Sequence, residues 1–457
     1  MHAFLQGAGD PRQAEDARYV GGIAHLTSAD TLRWSEQTPA LVPGPPGSGD
    51  DLGLYSGSTF FHEGIFYLFY TGRCSAEDGR VERLRLATSS DGVHFARREE
   101  TVVEADVRYY EARPLDSPDG TVNWRDPDVT WCAEEGRFYL VCCARSADHQ
   151  GALGLARSED LLHWEVLPPL WVNPRSNMME CPHWVRVDGR YAVCYSQGTG
   201  WLTAQGRRET PAELQEDGVY CVTAPGVGGP WSDGDRRALA GVPHWRHKPY
   251  AGAPLHLGEE TLLSYKLHGS AGYAPFKRVV ATEGGLHLAW NPRLEAALSD
   301  PMPVTPESDA APGVGYRFSL ARTCGRDGVV SGRLRREGAE RAGLVFRADE
   351  WGWKGMFVAC NFAAGTVEYG TCADPAAAGW RYVPGLAEQT EVEVKLLLAE
   401  DIIELFLDDR LALSTCVAAC GDDLGHDRLG IVDVGGAAAW EGLRWEALSL
   451  SDGRAMW

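Results

Sequence analysis

Two short segments carry the residues most able to do chemistry: Trp124-Arg125-Asp126-Pro127 and Glu180-Cys181-Pro182. Each sets a carboxylate beside a distinctive partner, an arginine in the first and a thiol in the second. Arginine is always charged, and its planar fork can hold a carboxylate or a substrate oxygen. A carboxylate next to a guanidinium stays ionised at neutral pH. Asp126 is therefore expected to bind hydroxyls and offset positive charge at a sugar ring, and to donate protons poorly. Pro127 is expected to keep Asp126 in an extended backbone. Glu180 follows Asn177-Met178-Met179 and precedes Cys181. Apolar and thiol neighbours would favour its protonated form, as a general acid needs. Together the two suggest a carboxylate pair acting on a sugar. Taken singly, each also fits a turn Asp with a surface Arg, or a Glu closing a strand.

The elements that must position this pair read as β. Alternating runs rich in Tyr, Phe, Val and Leu recur between Gly and Asp turns, and helix-period stretches are few and short. One pattern, Ser-x-Asp-x-x-x-aromatic, appears at Ser28–Trp34, Ser89–Phe95 and Ser158–Trp164, in steps of 61 and 69 residues. A second pattern sets a turn glycine before an aromatic strand, as in Gly64–Tyr70, Gly136–Val141 and Gly189–Tyr195. A multi-strand unit repeating at this period points to propeller blades. Ser and Asp are expected to make the turn, with the aromatic packed between neighbouring blades.

A break follows Trp290. Ser299–Pro306 and Asp309–Gly315 are rich in Pro and Gly and read as a linker. Beyond it the alternation resumes without the blade pattern, at Gly343–Arg347, Met356–Val358, Glu391–Leu396 and Ile403–Leu407. The expected fold is all-β, a five-bladed propeller over residues 1–298, a linker over 299–315 and a β-sandwich over 316–457.

Bulk properties exclude several classes. The 457 residues hold 43 Lys and Arg against 64 Asp and Glu, for a formal charge of −21. That argues against nucleic acid and anionic membranes as main partners. No apolar run approaches a membrane span, and the N-terminus lacks a secretory pattern. The 12 Cys include no CxxC pair, and Cys142-Cys143 are adjacent. Buried free thiols and a reducing, cytoplasmic setting are expected. No metal cluster, nucleotide loop or cofactor signature is present, so none is expected. Sixteen Trp suit core packing and stacking on sugar faces alike.

The first three hundred residues resemble glycoside hydrolase family 32, the fructosidases and fructosyltransferases. Leu54-Tyr55-Ser56-Gly57-Ser58-Thr59, followed by Leu68-Phe69-Tyr70-Thr71-Gly72, is similar to that family's second-blade signature. Trp124–Pro127 resembles its Arg-Asp-Pro motif and Glu180–Pro182 its Glu-Cys motif. The resemblance implies a five-bladed propeller followed by a β-sandwich, acting on a fructofuranoside or related small carbohydrate. It makes Asp126 the transition-state stabiliser and Glu180 the acid/base. It places Arg125, Trp124, Gln6, His25, Ser58, Cys181 and Tyr250 at the substrate, with Trp184 a further lining candidate.

The chain departs from the family at one place. The family nucleophile is an Asp within Asn-Asp-Pro-Asn-Gly on the first strand of the first blade. Met1–Gln6 resembles the second strand of that blade, and Ile23–Leu26 the next. Asp10-Pro11 falls in what should be a loop. Retaining glycosidases set two carboxyls roughly 5–5.5 Å apart. Without the nucleophile strand, two readings stay open. One is a hydrolase whose first strand precedes Met1. The other is a non-hydrolytic relative, either a carbohydrate-binding pseudo-enzyme or an isomerase, cyclase or lyase. A protein-binding scaffold is a third. His244-Trp245-Arg246-His247-Lys248 reads as a solvated loop or a contact for an acidic substrate group.

Overall fold

The structure is a computed structural model. It describes residues 1–8, 20–234, 236–243, 247–270, 272–283, 285–313, 315–323, 325–417, 426–449 and 454–455. Asp10-Pro11 and His244–Arg246 lie outside the described residues. The secondary structure is almost entirely strand. By its contacts the chain divides into two units. The first holds Met1–Thr210, Tyr220–Asp235 and Ala251–Thr261; the second holds Pro211–Val219, Arg236–Tyr250 and Leu262–Trp457.

The propeller strands come in five successive groups. The first is β1 (His2–Ala8), β2 (Gly22–Thr27) and β3 (Arg33–Glu36). The second is β4 (Gly53–His62), β5 (Ile65–Arg73), β6 (Arg83–Ser89) and β7 (Ala96–Val103). The third is β8 (Trp124–Cys132), β9 (Arg137–Arg145), β10 (Gly151–Ser158) and β11 (Glu165–Asn173). The fourth is β12 (Glu180–Val187), β13 (Arg190–Gln197), β14 (Asp217–Ala224) and β15 (Ala240–Val242). The fifth is β16 (Pro249–Leu257), β17 (Glu260–Leu267), β18 (Lys277–Thr282) and β19 (Gly285–Ala289). The second and third groups are four-stranded antiparallel meanders in chain order.

The repeated Ser-x-Asp segment makes the same turn each time. Asp30 Oδ1 accepts from the N–H groups of Leu32 and Arg33. Asp91 Oδ1 takes Val93 and His94, and Asp160 Oδ1 takes Leu162 and His163. The serine hydroxyl accepts the N–H three residues on, at Thr31, Gly92 and Leu161. Those three residues share a left-handed backbone, at φ 68°, 72° and 65°. Two of the aromatics that follow pack across blades, as expected. Phe95 meets Phe4 edge-on at 5.4 Å, and Trp164 meets Phe69 edge-on at 5.5 Å. Asp160→Ala removes the acceptor for two backbone N–H groups and is expected to cost about 1–2 kcal/mol. Urea denaturation of the variant against the parent chain checks it.

The turn also fixes where β1 belongs. In the second and third groups the Ser-x-Asp turn follows the third strand, at Ser89 and Ser158. In the first group it follows β2 at Ser28. β1 therefore stands in the second-strand position, and the sheet order begins with it.

The second unit carries the sandwich. Its strands are β20 (Met302–Pro303), β21 (Ser308–Gly313), β22 (Tyr316–Thr323), β23 (Gly328–Arg335), β24 (Arg341–Ala348), β25 (Met356–Asn361) and β26 (Thr366–Thr371). They continue with β27 (Gly379–Tyr382), β28 (Glu391–Ala399), β29 (Ile402–Leu407), β30 (Arg410–Cys416), β31 (Arg428–Val434) and β32 (Ala439–Ala447). One sheet runs β21-β22-β31-β24-β25-β26-β27, and the facing one runs β19-β30-β29-β28-β23-β32-β20 and continues past β19 into β18, β17 and β16 of the fifth group. Phe346, Val358, Leu396, Leu405 and Trp445 are among the residues that fill the core of this unit. Within the segment expected as linker, Met302–Pro303 and Ser308–Gly313 pair as strands. Proline is tolerated there because β20 and β21 are edge strands.

Candidate functional site

Arg125 is the hub of the site. It is the second residue of β8, and its guanidinium faces three carboxylates. Nη1 lies 3.0 Å from Glu82 Oε2, Nη2 lies 2.5 Å from Glu180 Oε1, and Nε lies 3.6 Å from Asp126 Oδ2. Nη1 also donates to Asn123 Oδ1 at 2.7 Å, and Nη2 meets the Met178 sulfur at 3.2 Å. The two sequence-predicted carboxylates thus converge on one side chain.

A bulge produces this geometry. The register of β8 on β9 shifts between Arg125 and Asp128, and that of β12 on β13 shifts between Glu180 and His183. β4 shifts on β5 between Tyr55 and Gly57. The register opposes Tyr55 to Thr71, Arg125 to Cys143 and Glu180 to Ser196. Arg125 and Glu180 therefore hold matching positions in successive blades, as do Asp126 and Cys181. A β-bulge re-aims side chains in this way and often lies beside active sites. Asp126 sits at φ 59° and Cys181 at φ 47°. This corrects the extended backbone expected from Pro127. The constraint from proline yields to the bulge, which turns Asp126 left-handed, a conformation Asp tolerates better than most residues.

The turned backbone leaves N–H groups pointing between blades, and neighbours receive them. Asp126 N–H donates to Thr71 Oγ1 at 2.9 Å, and Thr71 Oγ1 donates to the Ser56 carbonyl at 3.0 Å. Cys181 N–H donates to Asp126 Oδ2 at 2.9 Å. Gln6 joins the same path, its Oε1 accepting from Ser56 Oγ at 3.1 Å. One register step along, Asp128 Oδ2 accepts from Trp184 N–H at 2.7 Å, and His183 Nδ1 lies 3.6 Å from Oδ1. Ser58 sits beside Asp128. Burial alone would raise the Asp128 pKa, but His183, Ser58 and the Trp184 N–H outweigh it and lower it.

Asp126 is only 5% exposed. Burial pushes its carboxyl up to about 6, with Arg125 opposing and Glu180 adding to the rise. Arginine alone does not keep it fully ionised near neutrality, because desolvation is the larger influence. The folded state holds a proton that the unfolded state has released from about pH 4 upward. The stability this confers is present at low pH and is lost as pH rises through about 6. Asp126→Asn lacks this titration. Relative to the variant, the parent chain is expected to lose on the order of 2–3 kcal/mol between pH 4 and 6. Paired melting curves across that range check it, and a constant gap would contradict it.

Glu180 is partly buried, and its carboxylate is paired with Arg125 where apolar and thiol surroundings were expected. Cys181 is buried, and burial raises its thiol pKa well above the usual value. Trp124 is a correction. It is fully buried, packs where Gly154 leaves room, and donates its indole N–H to the Val103 carbonyl at 3.1 Å. Trp184 is likewise core, 5.9 Å from Trp231. His25 is a second correction. The register pairs Phe4 with His25, and the buried ring stacks on Phe4 and His2 inside the first blade. Burial lowers the pKa of His25, as it does for His2. Tyr250 lies in the second unit, where it meets Lys248 and His268. His247 lies there too, its Nδ1 3.4 Å from the Cys416 sulfur.

The sequence pattern missed Glu82. It lies between Val81 and Arg83 in a charge-rich stretch, with nothing local to set it apart. Among the described residues, no group of three or more His, Cys, Asp and Glu could hold a metal. No helix among them is long and apolar enough to cross a membrane.

Comparisons with known proteins fall in the same place. Residues 20–218 match the glycosyl hydrolases family 32 N-terminal domain. Raffinose invertase from Escherichia coli is 32% identical over 249 residues, which is 53% of this chain and 45% of that protein. Sucrose-6-phosphate hydrolase from Bacillus subtilis (strain 168) is 32% identical over 173 residues, 36% of this chain and 33% of that protein. The matches therefore span less than half the length of these curated relatives. The solved structure of sucrose-6-phosphate hydrolase from Lactobacillus gasseri has a TM-score of 0.72 at 14% identity. It covers 98% of this chain and 88% of its own, and at that identity it speaks for the fold. The fold is thus all-β, a five-bladed propeller followed by a β-sandwich, and over residues 20–218 the chain is similar to the N-terminal domain of glycoside hydrolase family 32.

Proposed function

We propose that the chain acts as a β-fructofuranosidase-like glycosidase on a small carbohydrate. One observation supports this most: Arg125 gathers Asp126 and Glu180 at a single guanidinium. In this reading Glu180 protonates the departing glycosidic oxygen and later draws a proton from water. Asp126, ionised above about pH 6, accepts hydroxyls of the furanose and offsets the positive charge that builds on the ring. Gln6 and Arg125 contribute further polar groups. The family resemblance assigns the attack on the anomeric carbon to a further Asp, within an Asn-Asp-Pro-Asn-Gly motif. The domain limits proposed are 1–298, 299–315 and 316–457. A reducing, cytoplasmic setting is proposed as well, and ten described unbridged cysteines support it.

The test is release of free fructose from sucrose, raffinose, sucrose-6-phosphate and a short fructan, followed by chromatography. Fructose from any of them is the expected result, and none from all four would overturn the reading. A second reading, a sugar binder that does not cut, is favoured by the Arg125–Glu180 ion pair, which occupies the carboxylate meant to deliver a proton. Calorimetric binding of the same sugars without product would select it.

A further inference from the structure

Glu82 is a third carboxylate on the site's guanidinium, and it is the most enclosed of the three at 1% exposure. It lies immediately before β6 and reaches two cations. Oε1 lies 2.7 Å from Arg73 Nη2 on β5, and Oε2 lies 3.0 Å from Arg125 Nη1. Oε2 also accepts from the Trp124 backbone N–H at 3.2 Å. Two guanidiniums and three carboxylates thus form one chain: Arg73, Glu82, Arg125, and then Asp126 with Glu180. Cys143, Cys181 and Met178 close the space around it with sulfur.

We infer that Glu82 is a positioning residue for this site: it anchors the far side of Arg125 and offsets its charge, so that one guanidinium holds Asp126 and Glu180 together. The inference rests on the reading of those two as the working carboxylates. A buried arginine with only Asp126 and Glu180 to face would place its whole charge on those two carboxylates. With Glu82 on its outer nitrogen, Arg125 is shared among three partners. Shape and charge are separable here. A glutamine at position 82 keeps an acceptor toward Arg125 while removing the negative charge.

The experiment is a carboxyl-carbon NMR titration of Asp126 in the parent chain, Glu82→Gln and Arg73→Met, alongside the pH profile of turnover. Glu82→Gln is expected to move the Asp126 titration down by about one unit and carry the pH optimum down with it. Arg73→Met removes a positive charge from the same chain and is expected to move the titration up. Opposite signs from the two halves of one bridge are the signature of charge sharing, because general loosening of the fold would move both the same way. An unmoved titration in Glu82→Gln, or shifts of the same sign in both variants, would overturn the inference. Should Glu82→Gln fail to fold, Arg73→Met decides alone, and no upward shift sinks it. The titration needs no turnover. A parent chain that releases no fructose but shows the two opposite shifts would remove the fructosidase reading and leave Glu82 in its role.

Discussion

Glu180→Gln is expected to lower kcat for sucrose-like substrates by about 10²–10⁴-fold, the usual worth of a general acid. Gln keeps an acceptor toward Arg125 Nη2, so the ion pair becomes a hydrogen bond from the guanidinium to a neutral amide and the bulge of β12 survives. The melting temperature should therefore hold close to that of the parent chain while turnover collapses. A further measurement separates acid catalysis from positioning. An activated aryl fructofuranoside has a leaving group that departs without a proton, so its cleavage should fall far less than that of sucrose. An equal loss on both substrates would show that Glu180 matters for shape and would remove its role as the acid.

The second large effect lies in the other unit. Lys277 on β18 and Glu404 on β29 are both fully enclosed and lie 2.8 Å apart. Glu404 Oε1 also accepts from the Tyr265 hydroxyl at 2.6 Å and from Ser414 Oγ at 3.0 Å. The Lys277 ammonium sits over the Tyr265 ring, 3.8 Å from its centroid. This network joins β17 and β18 to β29 and β30 inside one sheet. Lys277→Met leaves a buried carboxylate without its cation and is expected to cost about 3–5 kcal/mol. The double variant Lys277→Met with Glu404→Met should recover most of that, because replacing both partners of a buried pair by apolar groups is often close to neutral. Chemical denaturation of the single and double variants checks both statements. A double variant as unstable as the single would show that the loss comes from packing.

The blades were legible because their turns depend on short local grammar. Ser and Asp two residues apart, with an aromatic four residues further, make the same hydrogen bonds at Asp30, Asp91 and Asp160. Asp126 and Glu180 were legible for the same reason, as carboxylates in distinctive tripeptides. What escaped depends on register and on distant partners. The left-handed turn at Asp126 follows from a bulge that composition does not announce. Trp124 and His25 point into cores because of strand pairing, and either residue type suits a cleft equally well. Glu82 reaches Arg125 across 43 residues of chain, and Lys277 reaches Glu404 across 127. Contacts of that kind leave no trace in the sequence around either partner.

The hydrogen bond from Cys181 N–H to Asp126 Oδ2 has an evolutionary consequence. Asp126 stabilises the bulge of the next blade whether or not any sugar is cut. A descendant that abandoned catalysis would still be under pressure to keep an acceptor at that position, since an orphaned buried N–H costs about 1–3 kcal/mol. In the proposed reading Glu180 is required for the proton it transfers, a duty that ends once turnover no longer matters. Among relatives of this chain, an intact Arg-Asp-Pro segment is therefore a poor guide to activity. The residue to inspect when sorting working enzymes from retired ones is the glutamate.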